Sequence, residues 1–398
     1  MVMKAKRAPW SAWIAGTVVM MLLSGCAGGL RTETIIIPDQ AGTVPDTGVG
    51  HAFEVNTIYR LSDIEEFKVN PWRWMAPDTL ARQSWGRSGW ERIDRYSLPY
   101  EKAEKLMELD VYPFDFSDLS PNGRYFASLS LGNREHPGSL LTLISIPEGV
   151  KTEVNAAHLL PRWAERKLMW SGNSRFVSYF FMDEQGGIGI AAYDTEHEEL
   201  KQYTMPDQNK SAILHSVKLS EGGDGVIVVR SEPGKLRSFV LGRWKGDQLV
   251  SEYEHSLHED GRVEWLDPNR VVFVGTDGTL FVYDRRNGDL SVLMDQAGSF
   301  ALSADRQYIA YTTNEATIDV AKLQGNNLLN RTTVYHGLIG DEMAWNPDNS
   351  ALLVQGRKPY EAPTVVAPGV AAEEPLPAAS QRDLYGQQAI IITFKSSK

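Results

Sequence analysis

Leu119-Ser120-Pro121-Asn122-Gly123-Arg124-Tyr125-Phe126-Ala127 is the stretch that decides the fold. Pro presets φ at the first central position of a tight turn. Asn tolerates left-handed φ and bonds its own backbone, and Gly supplies positive φ. Ser120 stands where its side-chain oxygen can accept a backbone N–H across that turn, and Tyr125-Phe126-Ala127 opens a strand. The same plan returns as Trp170-Ser171-Gly172-Asn173, Leu219-Ser220-Glu221-Gly222, Leu266-Asp267-Pro268-Asn269, Leu302-Ser303-Ala304-Asp305 and Trp345-Asn346-Pro347-Asp348, each followed by apolar and small residues. The anchors at 120, 171, 220, 267, 303 and 346 recur every 45 residues or so on average. That period holds four short strands and their turns, which is one propeller blade.

The segments between anchors read as hairpins. Thr279–Asp284 and Leu290–Leu293 flank an Asn287-Gly288 turn; Gly187–Asp194 with Leu200 and Tyr203, and Phe239–Gly242 with Lys245-Gly246-Asp247, follow the same outline. With these residues in view, Ser120-Pro121-Asn122-Gly123-Arg124-Tyr125 resembles the repeat of TolB-type (WD40-like) β-propellers over roughly residues 112–398. The fourth copy lacks the Gly, the third carries extra Gly and Asp, and the Gly-His…Trp-Asp signature of WD repeats is absent. The resemblance implies a fold and leaves activity open.

The expected fold is therefore all-β, a propeller of six blades directly counted, with a seventh if 51–110 forms a degenerate one. Ala389–Phe394 supplies a last strand, yet the final unit is one strand short. Open sheet edges invite aggregation, so a strand from 51–61, or alternatively 34–38, is expected to close the ring. Pro77-Asp78 resembles a helix start and Glu101–Leu109 a short helix. The expected organisation is a signal peptide over 1–25, a tether over 26–50, an N-terminal strand with a helical Trp-rich segment over 51–111, and a propeller over 112–398. Within the last, 361–383 is a Pro/Ala/Val-rich loop expected to be disordered.

The head of the chain carries an address. Lys4, Lys6 and Arg7 precede an apolar run from Trp13 to Leu23 that ends in Leu23-Ser24-Gly25-Cys26. The run is shorter than the ~20 apolar residues a membrane-spanning helix requires. The whole resembles a bacterial lipoprotein signal peptide with its lipobox. The resemblance implies cleavage before Cys26, acylation of that cysteine (palmitate among its chains), and attachment to the cell membrane or outer membrane on the extracytoplasmic side. Each buried methylene contributes about 0.8 kcal/mol, so two or three acyl chains anchor firmly. Loss of residues 1–25 removes three positive charges and no negative one, moving the formal net charge from -11 to -14. An acidic body argues against nucleic acid as a partner. Cys26 is the one cysteine, which excludes intrachain disulfides.

Two sets of residues stand out as candidate sites. Trp72, Trp74, Trp85 and Trp90 interleave with Arg73, Arg82, Arg87, Arg92 and Arg95. They are either an aromatic platform for sugar rings or a peptide, with Arg73 and Arg87 reaching anionic groups, or rings that pack the segment onto the propeller. His255 and His258 lie amid Glu252, Glu254, Glu259 and Asp260 and read as a solvated hairpin rather than a metal site. No nucleophile elbow, Walker loop, H-E-x-x-H or EF-hand loop occurs, and no metal or cofactor is expected. The reading favoured is an interaction scaffold binding a protein or cell-envelope component. The alternative is a propeller enzyme acting on glycans or peptides from its central channel, for which three or more carboxylates or histidines converging there would speak.

Overall fold

The computed structural model describes residues 33–35, 53–61, 72–85, 91–109, 116–130, 140–155, 167–183, 185–205, 212–258, 262–313, 316–358 and 387–395. All of their regular structure is β. The strands run as antiparallel four-strand meanders over 73–109, 116–155, 169–204, 213–256, 263–294 and 300–336. The last sheet takes Ile339–Trp345, Ala351–Arg357 and Gln387–Phe394 from one end of the chain and Val55–Leu61 from the other. The 169–204 and 213–256 meanders join into one eight-stranded sheet through a parallel pairing of Thr204 with Gln248. Tyr203 and Trp244 stack beside that seam at 3.8 Å.

Each hydrophobic cluster is built from two consecutive meanders. Ile93 shares a cluster with Phe126, Leu141 with Tyr179, Ile190 with Val228, Phe239 with Phe273, Val282 with Ile309, and Val320 with Leu352. The remaining cluster returns from the last sheet to the first meander, joining Leu353 and Ile391 to Trp74 and Leu80. Alternation along each strand makes this possible, since successive side chains face opposite neighbours and both neighbours are apolar. The result is a ring of radially packed sheets, a β-propeller.

The turns behave as their chemistry dictates. The hydroxyls of Ser120, Ser171, Ser220 and Ser303 accept the backbone N–H five residues on, each at 2.9 Å. Asn346 does the same for Ala351, and Asp267 holds the N–H of Arg270. Inner strands are also tied sideways. The indole Nε1 of Trp345 donates to the carbonyl of Ala301 at 3.2 Å, and that of Trp74 to the carbonyl of Ala344 at 3.0 Å.

The expectation of a helical Trp-rich segment is corrected. The 73–109 segment is not helical: it is a four-strand sheet, Arg73–Ala76, Thr79–Trp85, Glu91–Ser97 and Ala103–Leu109. Pro77-Asp78 makes a two-residue turn, and pairing with Glu91–Ser97, with Leu106, Met107 and Leu109 packed against the neighbouring cluster, overrides the helix propensity of Glu104, Lys105 and Leu106. The direct count from the turn motif thus leaves out this sheet. Ring closure falls where expected, with Val55–Leu61 antiparallel to Gln387–Phe394. Glu33–Ile35, inside the expected tether, pairs as a further strand outside Val55–Leu61. Residues 1–25, Cys26 and 361–383 lie outside the described residues, among which no helix is long and apolar enough to cross a membrane.

Candidate functional site

The opening of the 263–294 meander and the first strand of the last sheet lie innermost, because their side chains meet although the two sheets are not neighbours. Arg262, just before Val263–Asp267, reaches Glu342 of Ile339–Trp345 at 3.6 Å, past the intervening 300–336 meander. Only a path across the central channel allows that contact. Arg262 Nη2 also donates to the carbonyl of Asp341 at 3.1 Å.

From Glu342 the charges alternate around the wall. Arg73 stands 3.6 Å from both Glu342 and Asp118. On the other side, Lys218 contacts Glu264, whose surroundings include Arg262 and Arg306. The order Asp118, Arg73, Glu342, Arg262, Glu264, Lys218 is a belt of alternating sign contributed by five sheets. The 3.6 Å contacts are ionic rather than hydrogen-bonded. Lys218 and Glu264 are the most enclosed pair of the belt, their side chains 14% and 26% exposed.

The belt pushes two carboxyls apart. Desolvation raises Asp118 above the ordinary aspartate value, with Glu342 adding to the rise; Arg73 and Lys167 oppose it without prevailing. Burial acts in the same upward sense on Glu264, but Lys218, Arg306 and Arg262 outweigh it and hold that carboxyl below its ordinary value. Carboxyls with opposed shifts in one cavity are a recurrent mark of functional sites.

At the turn end of the channel the sheets are stitched together. Asn122 N donates to Ser174 Oγ, Asn173 Nδ2 to the carbonyl of Glu221, and Asn346 Nδ2 to the carbonyl of Pro77. Arg306 crosses from the 300–336 meander to Glu221 at 3.2 Å.

The Trp-rich candidates divide. Trp72 and Trp74 are 4% and 2% exposed, and both belong to the cluster between the first and last sheets. Trp72 lies 4.6 Å from Tyr96 and under the Arg82 guanidinium. Neither ring offers a face to solvent. Trp85 ends a strand, while Trp90 and Arg87 lie outside the described residues. Arg73 is not with these rings in function; it belongs to the belt. His255 packs against Phe273 and Phe281 and its Nδ1 meets the carbonyl of Ser256. Asp194, Glu196 and His197 bring three ligand-type atoms within 4.8 Å, but the Arg175 guanidinium already fills the place of a cation, 2.6 Å from Asp194 and 3.1 Å from Glu196.

Most of the belt escaped the linear reading. The usable signal is positional: Asp118 and Lys218 stand two residues before their turn anchors, where other copies carry Met169, Ala301 and Ala344.

No family model matches the chain, and no curated protein does. Solved structures resemble it in fold. An oligogalacturonate lyase in complex with manganese aligns with a TM-score of 0.53 at 11% identity, covering 92% of this chain and 98% of that one. A chain of the mitotic checkpoint complex aligns with a TM-score of 0.50 at 11% identity over 92% and 100%. The tricorn protease aligns with a TM-score of 0.44 at 14% identity over 69% of this chain and 31% of its own, so the chain spans about a third of that protease's length. At such identities the likeness concerns the β-propeller alone.

Proposed function

We propose that the protein is an extracytoplasmic lipoprotein, anchored through acylated Cys26, whose TolB-like propeller serves as a binding scaffold for a protein or cell-envelope component. We count its blades as seven, one per meander plus the sheet completed by Val55–Leu61. One observation carries the scaffold reading: the channel carboxylates already have cationic partners, Asp118 in Arg73, Glu342 in Arg73 and Arg262, and Glu264 in Lys218. A wall of paired charge suits recognition of a polar partner better than attack on a bond. Two experiments test the proposal. Cys26→Ser should shift the folded protein from the membrane fraction to the soluble one; retention in the membrane would refute the anchor. Crosslinking in intact cells should capture the same partner with the wild type and lose it when Glu342 and Glu264 are neutralised together; a partner unaffected by that change would move the site off the channel.

A second reading is favoured by one specific feature, the opposed shifts of Asp118 and Glu264, and by three carboxylates, with Glu342, converging on one channel. It is a channel enzyme acting on glycans or peptides, with Asp118 as the candidate acid and Glu264 as the candidate base. The lyase among the fold relatives acts on oligogalacturonate by its name, and a propeller of this size can host such work. Turnover of a panel of uronic-acid oligosaccharides or peptides, abolished by both Asp118→Asn and Glu264→Gln, would establish it; a panel without turnover would leave the scaffold.

A further inference from the structure

The third residue after the turn anchor is left-handed in five copies: Gly123 at φ 62, Ser174 at 64, Gly223 at 78, Arg306 at 60 and Asn349 at 60. Glycine takes that conformation freely and Asn and Ser with modest strain; a long side chain there is an outlier whose cost calls for a compensating role. Arg306 is the outlier. Its guanidinium leaves its own turn, passes that of the 263–294 meander, and donates from Nη2 to Glu221 Oε1 at 3.2 Å. It also lies over the 169–204 meander: a Cβ placed on Gly172 would stand 2.2 Å from Arg306 Nη2 and 3.1 Å from Glu221 Oε1. One side chain thus spans turns three positions apart around the ring, and Gly172 leaves the room for it. Glu264 lies within its electrostatic reach, and Arg306 increases the acidity of that carboxyl.

We infer that Arg306 is the stopper of the channel: its guanidinium closes the turn-side mouth, so the channel is a blind pocket entered from the opposite face. A ligand then inserts an end and stops beneath the Lys218–Glu264 pair, and no chain threads through. The latch is light, with Arg306 23% and Glu221 46% exposed, which is the regime of weak, openable pairs. This inference concerns channel geometry and stands whether the pocket binds or catalyses.

Lysine footprinting of the full chain tests it. Lys218 lies behind the stopper, and Lys151 on an outer strand serves as an exposed reference. Reductive methylation followed by mass spectrometry should show Lys218 modified about twofold faster in Arg306→Gly and in Gly172→Ala, a second route being added to the one through the open face, with Lys151 unchanged, as local opening requires. Gly172→Ala keeps the Arg306 charge, so acceleration in that variant reports access and not a lost charge. Unchanged Lys218 reactivity in both Arg306→Gly and Gly172→Ala overturns the inference. So does acceleration of every lysine together, or failure of Arg306→Gly to fold, since each makes Arg306 a structural residue.

Discussion

Thr57 and Thr393, 336 positions apart in the chain, exchange two hydrogen bonds: Thr57 N donates to Thr393 Oγ1 at 3.1 Å, and Thr393 Oγ1 donates to the carbonyl of Thr57 at 3.0 Å. They face each other across the one sheet that both ends of the chain build, and Ile58 stands opposite Ile392 beside them. The ring is therefore fastened by its termini. Thr393→Val keeps the shape and strips both bonds, leaving the Thr57 amide without that partner; the expected loss is about 1–3 kcal/mol. Ile392→Ala, fully buried in the same strand, should cost about 2–5 kcal/mol. Urea denaturation read by tryptophan fluorescence measures both, and a Thr393→Val midpoint equal to wild type would mean that the seam is not held by this pair.

Glu342 is the hub of the charged belt, since Arg73 and Arg262 both lean on it. Glu342→Gln leaves two guanidinium groups short of one anion and should cost about 1 kcal/mol, discounted for their contact with channel water. Asp118→Asn should behave differently. The folded protein holds that carboxyl above its ordinary value, so its ionised form is disfavoured on folding. The penalty is absent below the unfolded pKa, appears as pH rises through the folded value, and persists above it. Asp118→Asn should therefore be neutral or stabilising at pH 7 and bring no gain at pH 3. Denaturation midpoints at the two pH values decide it; destabilisation at pH 7 that fades at pH 3 would make Arg73 the dominant partner instead.

Acid should loosen the turns before the cores. Burial alone would raise Asp194, but hydrogen bonds from Arg175 and His197 overcome it and hold the carboxyl well below its ordinary value. Asp284 is held at about 2, chiefly by Arg286. Both folded values lie below the unfolded one, so these carboxylates contribute stability that is complete above about pH 4 and is lost as pH falls through the folded values. The wild-type midpoint should thus fall between pH 4 and pH 2. In Asp194→Asn that slope should flatten and the pH 7 midpoint drop. An unaltered slope in the variant would assign the acid limb to other groups.

What was legible depended on distance along the chain. The turn anchors are local chemistry, so Ser120, Ser171, Ser220, Asp267, Ser303 and Asn346 could be read directly, and the missing strand of the last sheet followed from counting. The 73–109 meander was obscured because it lacks the serine anchor, and because Ala103-Glu104-Lys105-Leu106-Met107 carries helix propensity that only packing overrules. The belt was obscured for another reason. Asp118, Lys218, Glu264 and Glu342 are unremarked singly; they meet only when the ring closes. Arg306 was visible as a departure from the turn pattern, but its reach to Glu221 was not.

Trp74 separates a packing role from a ligand platform. Its ring lies between the first and last sheets, 6.5 Å from Tyr100, and its Nε1 donates to the carbonyl of Ala344. That bond repeats the one from Trp345 to Ala301 on the neighbouring sheet, which marks the indole as a device joining inner strands. Trp74→Phe keeps most of the apolar contact and removes the donor, so it should cost about 1 kcal/mol. Trp74→Ala opens a large cavity beside the closing sheet and should cost about 3–5 kcal/mol. A solvent-facing platform would give the opposite pattern: Trp74→Ala folded with an unshifted midpoint and impaired only in binding. Chemical denaturation of the two variants, followed by far-UV circular dichroism to avoid the lost fluorophore, distinguishes these outcomes.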